Sequence, residues 1–176
     1  DLSQAYTNNP SVATNYLNEL LFELNDWITT SPVPVAGWIS AVSRWRTIEA
    51  GIRMLGVWPR CFYQLKDSSR VSDDLLILWV KSFYEHAKFL EAHASTSGNY
   101  VAIEMHGLFT VGTLFQEFIE AAGWREFAVS RLGAMLTDSV YPDGAENELS
   151  PGYHDNVIGD VEGVKQLACT NNLQTS

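Results

Sequence analysis

The sequence predicts an all-α fold. Apolar residues recur every third or fourth position through most of the chain, no stretch sustains the strict alternation of a half-buried strand, and short turn-rich connections separate the periodic segments as in antiparallel helix hairpins. With 176 residues, 46% of them hydrophobic and 12% aromatic, the chain suffices for one domain with a sizeable core.

In chain order, Asn9-Pro10 reads as a helix start, with Asn as N-cap and Pro where its missing donor is harmless. Tyr16, Leu17, Leu20, Leu21, Leu24, Trp27 and Ile28 then form one helical face, and Thr29 to Pro34 ends the helix. A second helix is expected from about Val35 to Leu55, burying Trp38, Val42, Trp45, Ile48, Ile52 and Leu55, with Gly56 and Pro59 as its stop. Arg46, Glu49 and Arg53 share another face, where mutual ion pairing worth a few tenths of a kcal/mol is the simplest role.

Ser72 ahead of Asp73-Asp74 is a capped, acidic first turn, followed by the stripe Leu75, Leu78, Trp79, Phe83, Ala87 and Leu90. His86 and His93 on this helix are too few for a metal site and read as structural or surface residues. After the polar loop Ser95 to Asn99, a fourth helix carries Ile103, Gly107, Leu108, Val111 and Leu114. Gly107 and Gly112 in its middle point to close helix packing or to a local irregularity. Phe115 to Ala122 reads as a short helical piece, Trp124 to about Thr137 as a fifth helix, and a sixth begins near Tyr153. The organisation expected is a helical domain over 1–158 and a weakly structured tail over 159–176.

The net charge of −10 argues against a nucleic-acid partner, because phosphate neutralisation needs abundant Lys and Arg. That charge is unevenly spread. Arg44, Arg46, Arg53, Arg60, Lys66 and Arg70 face only Glu49 and Asp67 in their stretch, whereas Asp138 to Glu162 has seven acids and no Lys or Arg. The basic stretch is either a solvated face or a patch that steers an anionic ligand. Cys61 and Cys169 are free thiols or one pair. No run approaches the roughly 20 apolar residues of a membrane span. A chain starting at Asp1 is expected to be processed or excised from a longer one.

The stretch Asp143 to His154 concentrates chemistry on a shaped loop. Asp143-Gly144 and Pro151-Gly152 are strong turn dipeptides, and Tyr153-His154 sets a phenol beside an imidazole at the next helix start. Packing and hydrogen bonding are the commoner uses of such a pair.

Four pieces together resemble the N-terminal helical domain of the heparinase II/III and alginate lyase group of polysaccharide lyases. They are Trp45-Arg46 through Arg53, Gly98-Asn99-Tyr100 with Glu104, Leu114 to Glu117 followed by Trp124, and Asp143-Gly144 through Glu148-Leu149-Ser150-Pro151-Gly152-Tyr153-His154. The resemblance covers roughly 12–158, and its last piece is the most specific. It implies an incomplete (α/α) toroid of antiparallel helix hairpins within a larger two-domain protein. It further implies β-elimination on a uronic-acid polymer such as heparan sulfate or alginate, and a periplasmic or secreted location. By motif match Asn99 contacts the uronate carboxylate and Tyr153 is the catalytic acid, or acid and base both. Glu104, Tyr100, His154 and Arg53 are implied to line the substrate site. Tyr100 replaces the His or bulky aromatic of many relatives, and Gln116 stands where Pro is usual. No cofactor or metal is assigned to this chain, and a metal, where the group has one, belongs to a later region. Two other readings compete: a non-catalytic carbohydrate-binding helical module, and a helical-toroid glycoside hydrolase using Asp143 and Glu148, which needs carboxylates about 5 to 10 Å apart.

Overall fold

The segment Tyr100–Leu114 carries one carboxylate and small or apolar residues on every side, a composition a helix sustains only when surrounded. In the computed structural model, which describes residues 2–8, 13–35 and 44–173, it is the central helix. The helices are α1 (Leu2–Asn8), α2 (Ala13–Thr30), α3 (Thr47–Leu55), α4 (Val57–Leu65), α5 (Asp73–His93), α6 (Tyr100–Leu114), α7 (Ala121–Ser139) and α8 (Pro151–Thr170). Among the described residues there is no strand, only an isolated bridge between Val140 and Glu146.

The chain runs outward and inward in hairpins. α3, α6 and α8 form an inner row in which α6 touches both neighbours, while α2, α5 and α7 back it as an outer row. This is an incomplete (α/α) toroid. The core lies between the rows, with Met54, Trp79, Phe83, Leu90, Met105, Leu108, Phe109 and Trp124 at most 1% exposed.

Two glycines set the spacing of α3 and α6. A Cβ on Gly107 would stand 2.6 Å from the Gly51 carbonyl oxygen, and one on Gly51 would stand 2.9 Å from Glu104 Cα. The backbones therefore touch, and the role read for Gly107 holds. α5 starts as its sequence predicts: the Ser72 hydroxyl accepts from the Leu75 N–H at 3.3 Å, and Trp79, Phe83, Ala87 and Leu90 are buried.

Several boundaries differ from expectation. α3 ends at Leu55 with Gly56 as its C-cap, as expected, but helix resumes at once as α4, and Pro59 sits in the first turn of α4, where its lost donor costs nothing. The close contact with α6 turns Ala50, Gly51 and Met54 inward and leaves Ile52 50% exposed. Trp38, Val42 and the start at Asn9-Pro10 lie outside the described residues. Phe115 to Glu120 forms turns, with α-helix resuming only at Ala121. The expected loose tail is corrected as well: α8 runs to Thr170, because Val157, Val164 and Ala168 recur at helical spacing and are buried, α8 packing on α6. Cys61, buried, and Cys169, exposed, do not pair. No helix among the described residues is long and apolar enough to cross a membrane.

Candidate active site

The connections entering α3, α6 and α8 are tied to one another by side chains, so the N-termini of the inner helices share one end of the molecule. The connection before α8 is built largely from its own acids. Gly144, at φ 90°, turns the chain so that its N–H reaches the Tyr141 carbonyl at 2.8 Å, and Asp143 Oδ1 accepts from the Ala145 N–H at 3.0 Å. The Asn147 N–H donates to the Ser139 carbonyl at 2.8 Å, closing the loop onto the end of α7. Glu146, 3% exposed, accepts the Glu148 N–H at 3.0 Å, and Leu149 takes φ 54° to pass into Ser150. Pro151 then opens α8, putting Tyr153 on its first turn, 48% exposed, with His154 half-buried beside it.

The connection before α6 is held from below. Glu104 is 0% exposed, and its carboxylate accepts the Ser95 N–H at 2.6 Å and the Ser95 hydroxyl at 2.9 Å. Thr47 at the start of α3 also bonds it, and Arg131 of α7 donates to the Ser95 carbonyl. Burial raises the Glu104 pKa, opposed by Thr47, Ser95 and the charge of Arg131. Expected at the substrate, the Glu104 carboxylate instead lies inside the fold, turned to Ser95 and Thr47. One carboxylate in an otherwise apolar helix was the signal of a buried clasp, and Ser95 and Arg131, not foreseen from the sequence, are its partners.

Above the clasp, Gly98 at φ 79° brings the chain to Asn99 and the exposed Tyr100. The Asn99 side chain makes no capping bond to α6, while its N–H donates to Glu148 Oε1 at 3.1 Å. The two loops that carry Asn99 and Tyr153 are thus bonded directly. At the entry to α3, Arg46 pairs with Glu49, and Tyr100 is close enough to interact electrostatically with Arg46. Arg44 donates to the Ser31 hydroxyl at 2.8 Å.

Arg53 occupies a different setting. Its guanidinium lies 4.4 Å from the centroid of the Trp27 ring, donates Nε to His86 Nε2 at 2.9 Å and Nη2 to the Arg44 carbonyl at 2.9 Å. Burial draws its pKa down to about 10, with Glu49 opposing, so it stays charged at neutral pH. It also borders a cavity of about 410 Å³ shared with Glu23, Trp27, Trp58, Cys61 and Trp79. These hydrogen bonds and ring contacts tie Arg53 to the aromatic cluster and Arg44 rather than to Asn99 or Tyr153. Among the described residues no three His, Cys, Asp or Glu side chains group as metal ligands.

The hairpin rows and the shared polar end define a helical toroid domain. The model of the heparinase II/III N-terminus family matches residues 1–176, and the chain belongs to that family. It is 27% identical over 139 residues to a heparin-sulfate lyase of Pedobacter heparinus, covering 79% of this chain and 21% of that protein. It is 26% identical over 161 residues to a heparin-sulfate lyase of Bacteroides thetaiotaomicron, covering 91% and 22%. The crystal structure of a heparinase III superposes with TM-score 0.88 at 24% identity, over 98% of this chain and 26% of that one, a likeness of fold. The chain thus spans about a fifth of the length of the curated relatives it matches.

Proposed function

We propose that this chain is the helical part of a polysaccharide lyase that performs β-elimination on a uronic-acid-containing acidic polysaccharide, with heparan sulfate ahead of alginate as substrate because the matched relatives are heparin-sulfate lyases. The observation that carries the reading is the bond from Asn99 to Glu148, which holds the uncommitted Asn99 side chain beside the loop ending in Tyr153. In this reading the Asn99 amide donates to the uronate carboxylate, where negative charge grows as the C5 proton is removed. A base from the remainder of the full-length protein takes the C5 proton, a C4=C5 double bond forms as the C4–O bond breaks, and the Tyr153 hydroxyl gives its proton to the departing oxygen. His154 and Tyr100 border the sugar, and Arg53 supports the end of α3 from inside. These side chains need no cofactor from this chain, and the site is read as serving an exported, periplasmic or secreted enzyme with no nucleic-acid partner.

The hydrolase reading gains no support from the loop, since Asp143 and Glu148 each accept a main-chain N–H. The test is to supply the full-length protein with heparan sulfate, alginate and chondroitin sulfate and follow the ultraviolet absorbance of the unsaturated uronate. Tyr153→Phe is expected to lower that rate at least ~100-fold. Binding without the absorbance would point to a non-catalytic module, and new reducing ends without it to hydrolysis.

A further inference from the structure

We propose that Glu148 is a positioning residue, which fixes Asn99 relative to Tyr153 by bonding the Asn99 main chain. The inference rests on the lyase reading and adds to it the residue that makes two separate loops act as one site. Glu148 belongs to the loop that delivers Tyr153, yet its Oε1 accepts the N–H of Asn99 at the start of α6, 3.1 Å away. That N–H has no partner within its own helix, and a carboxylate there makes a charge-assisted bond favoured by the helix dipole. Capping from the neighbouring loop leaves the Asn99 carboxamide free of that duty.

The link is itself braced. The Glu148 N–H is held by Glu146 Oε2 at 3.0 Å, and the Leu149 N–H by the Glu146 carbonyl at 3.0 Å. On the other side, Gly98 at φ 79° holds a left-handed turn that favours glycine and brings the chain against Glu148. A run of bonds therefore leads from the buried Glu146, through Glu148, to Asn99. A displacement of about 1 Å between reacting groups is enough to cost on the order of 100-fold in rate. Glu148 is exposed, so its removal disturbs little packing.

The experiment uses the full-length protein and the unsaturated-uronate assay. Glu148→Ala is expected to lower kcat by roughly 10- to 100-fold with a much smaller change in KM. Glu148→Gln, which keeps an acceptor oxygen at the same place, is expected to restore most of the rate. In an Asn99→Ala background, Glu148→Ala is expected to cost nothing further, because its effect runs through Asn99. Amide exchange at Asn99 should quicken in Glu148→Ala, a readout independent of turnover. Unchanged kcat in Glu148→Ala, with Tyr153→Phe inactive, would overturn the positioning role and leave the lyase reading standing; so would losses that add fully to Asn99→Ala. A wild-type protein that yields no unsaturated product overturns the lyase reading and the catalytic role together, and unaltered Asn99 exchange overturns the bond itself.

Discussion

His86 is the residue on which the inner aromatic cluster turns. Its ring is 0% exposed and 4.3 Å, centroid to centroid, from Trp45, with Trp27 and Trp58 also against it. Nε2 accepts from Arg53 and Nδ1 lies 2.7 Å from the Ser82 carbonyl, so the neutral tautomer with the proton on Nδ1 satisfies both. Burial first, then the Arg53 charge, depress its pKa from 6.5 to about 3, with the Ser82 carbonyl opposing. The unfolded chain therefore binds a proton that the folded one refuses, and stability present above pH 6.5 is lost as pH falls toward 3. The slope approaches 1.4 kcal/mol per pH unit at most, or about 2 kcal/mol between pH 7 and 5. Glu104, whose pKa is raised by burial, contributes with the opposite sign above its ordinary 4.5. Urea midpoints across pH 5 to 7 should fall for the wild type as pH is lowered and stay flatter for His86→Gln; equal slopes would count against a buried neutral His86.

At the scale of elements, close packing decides what a glycine is worth. In an exposed helix interior Gly→Ala stabilises by roughly 1 kcal/mol, and a Cβ added to Gly133 of α7 would meet nothing within 4 Å. Gly107→Ala instead drives a methyl into the α3 backbone, which no rotamer change relieves. Thermal unfolding should show Gly133→Ala more stable than wild type and Gly107→Ala less stable by about 1 to 3 kcal/mol or more. The sequence carried the type of these elements well, because helical periodicity and the Ser72 cap are local. It carried the inward face of α3 poorly, since burying Ala50 and Met54 in place of Ile52 follows from a contact with α6 more than fifty residues away in sequence. Pro59 misled for a related reason: a proline reads as a stop, yet in a first turn it is compatible with helix. In the candidate site, Asn99 and Tyr153 are the positions that the family resemblance singles out, whereas the Glu104 clasp and the Glu148 link depend on pairings between loops that spacing does not encode.

On the scale of the whole molecule, the proposed reading has an acidic protein meet an acidic polymer, and that meeting must run through local charge. Arg44 and Arg46 stand at the entry to α3, at the end shared with Asn99, while Lys66 and Arg70 lie in the connection that begins α5. α5 has 21 residues, about 31 Å of helix, and carries the chain from that connection to the loop of Ser95 and Asn99. That separation is about three to four Debye lengths at physiological salt, so charges at the far end are screened from a ligand held at the near one. Arg44 bonds hydroxyl groups of Thr30 and Ser31, which leave its charge uncompensated at that contact. In the full-length protein, Arg44→Glu is expected to weaken binding of heparan sulfate several-fold at low salt, whereas Lys66→Glu and Arg70→Glu change it by less than about two-fold. The Arg44→Glu penalty should shrink as ionic strength rises, measured by titration calorimetry from ~50 to ~500 mM salt. Equal penalties at the two ends would mean that net charge, rather than the grouping of the inner helix N-termini, governs how the polymer is met.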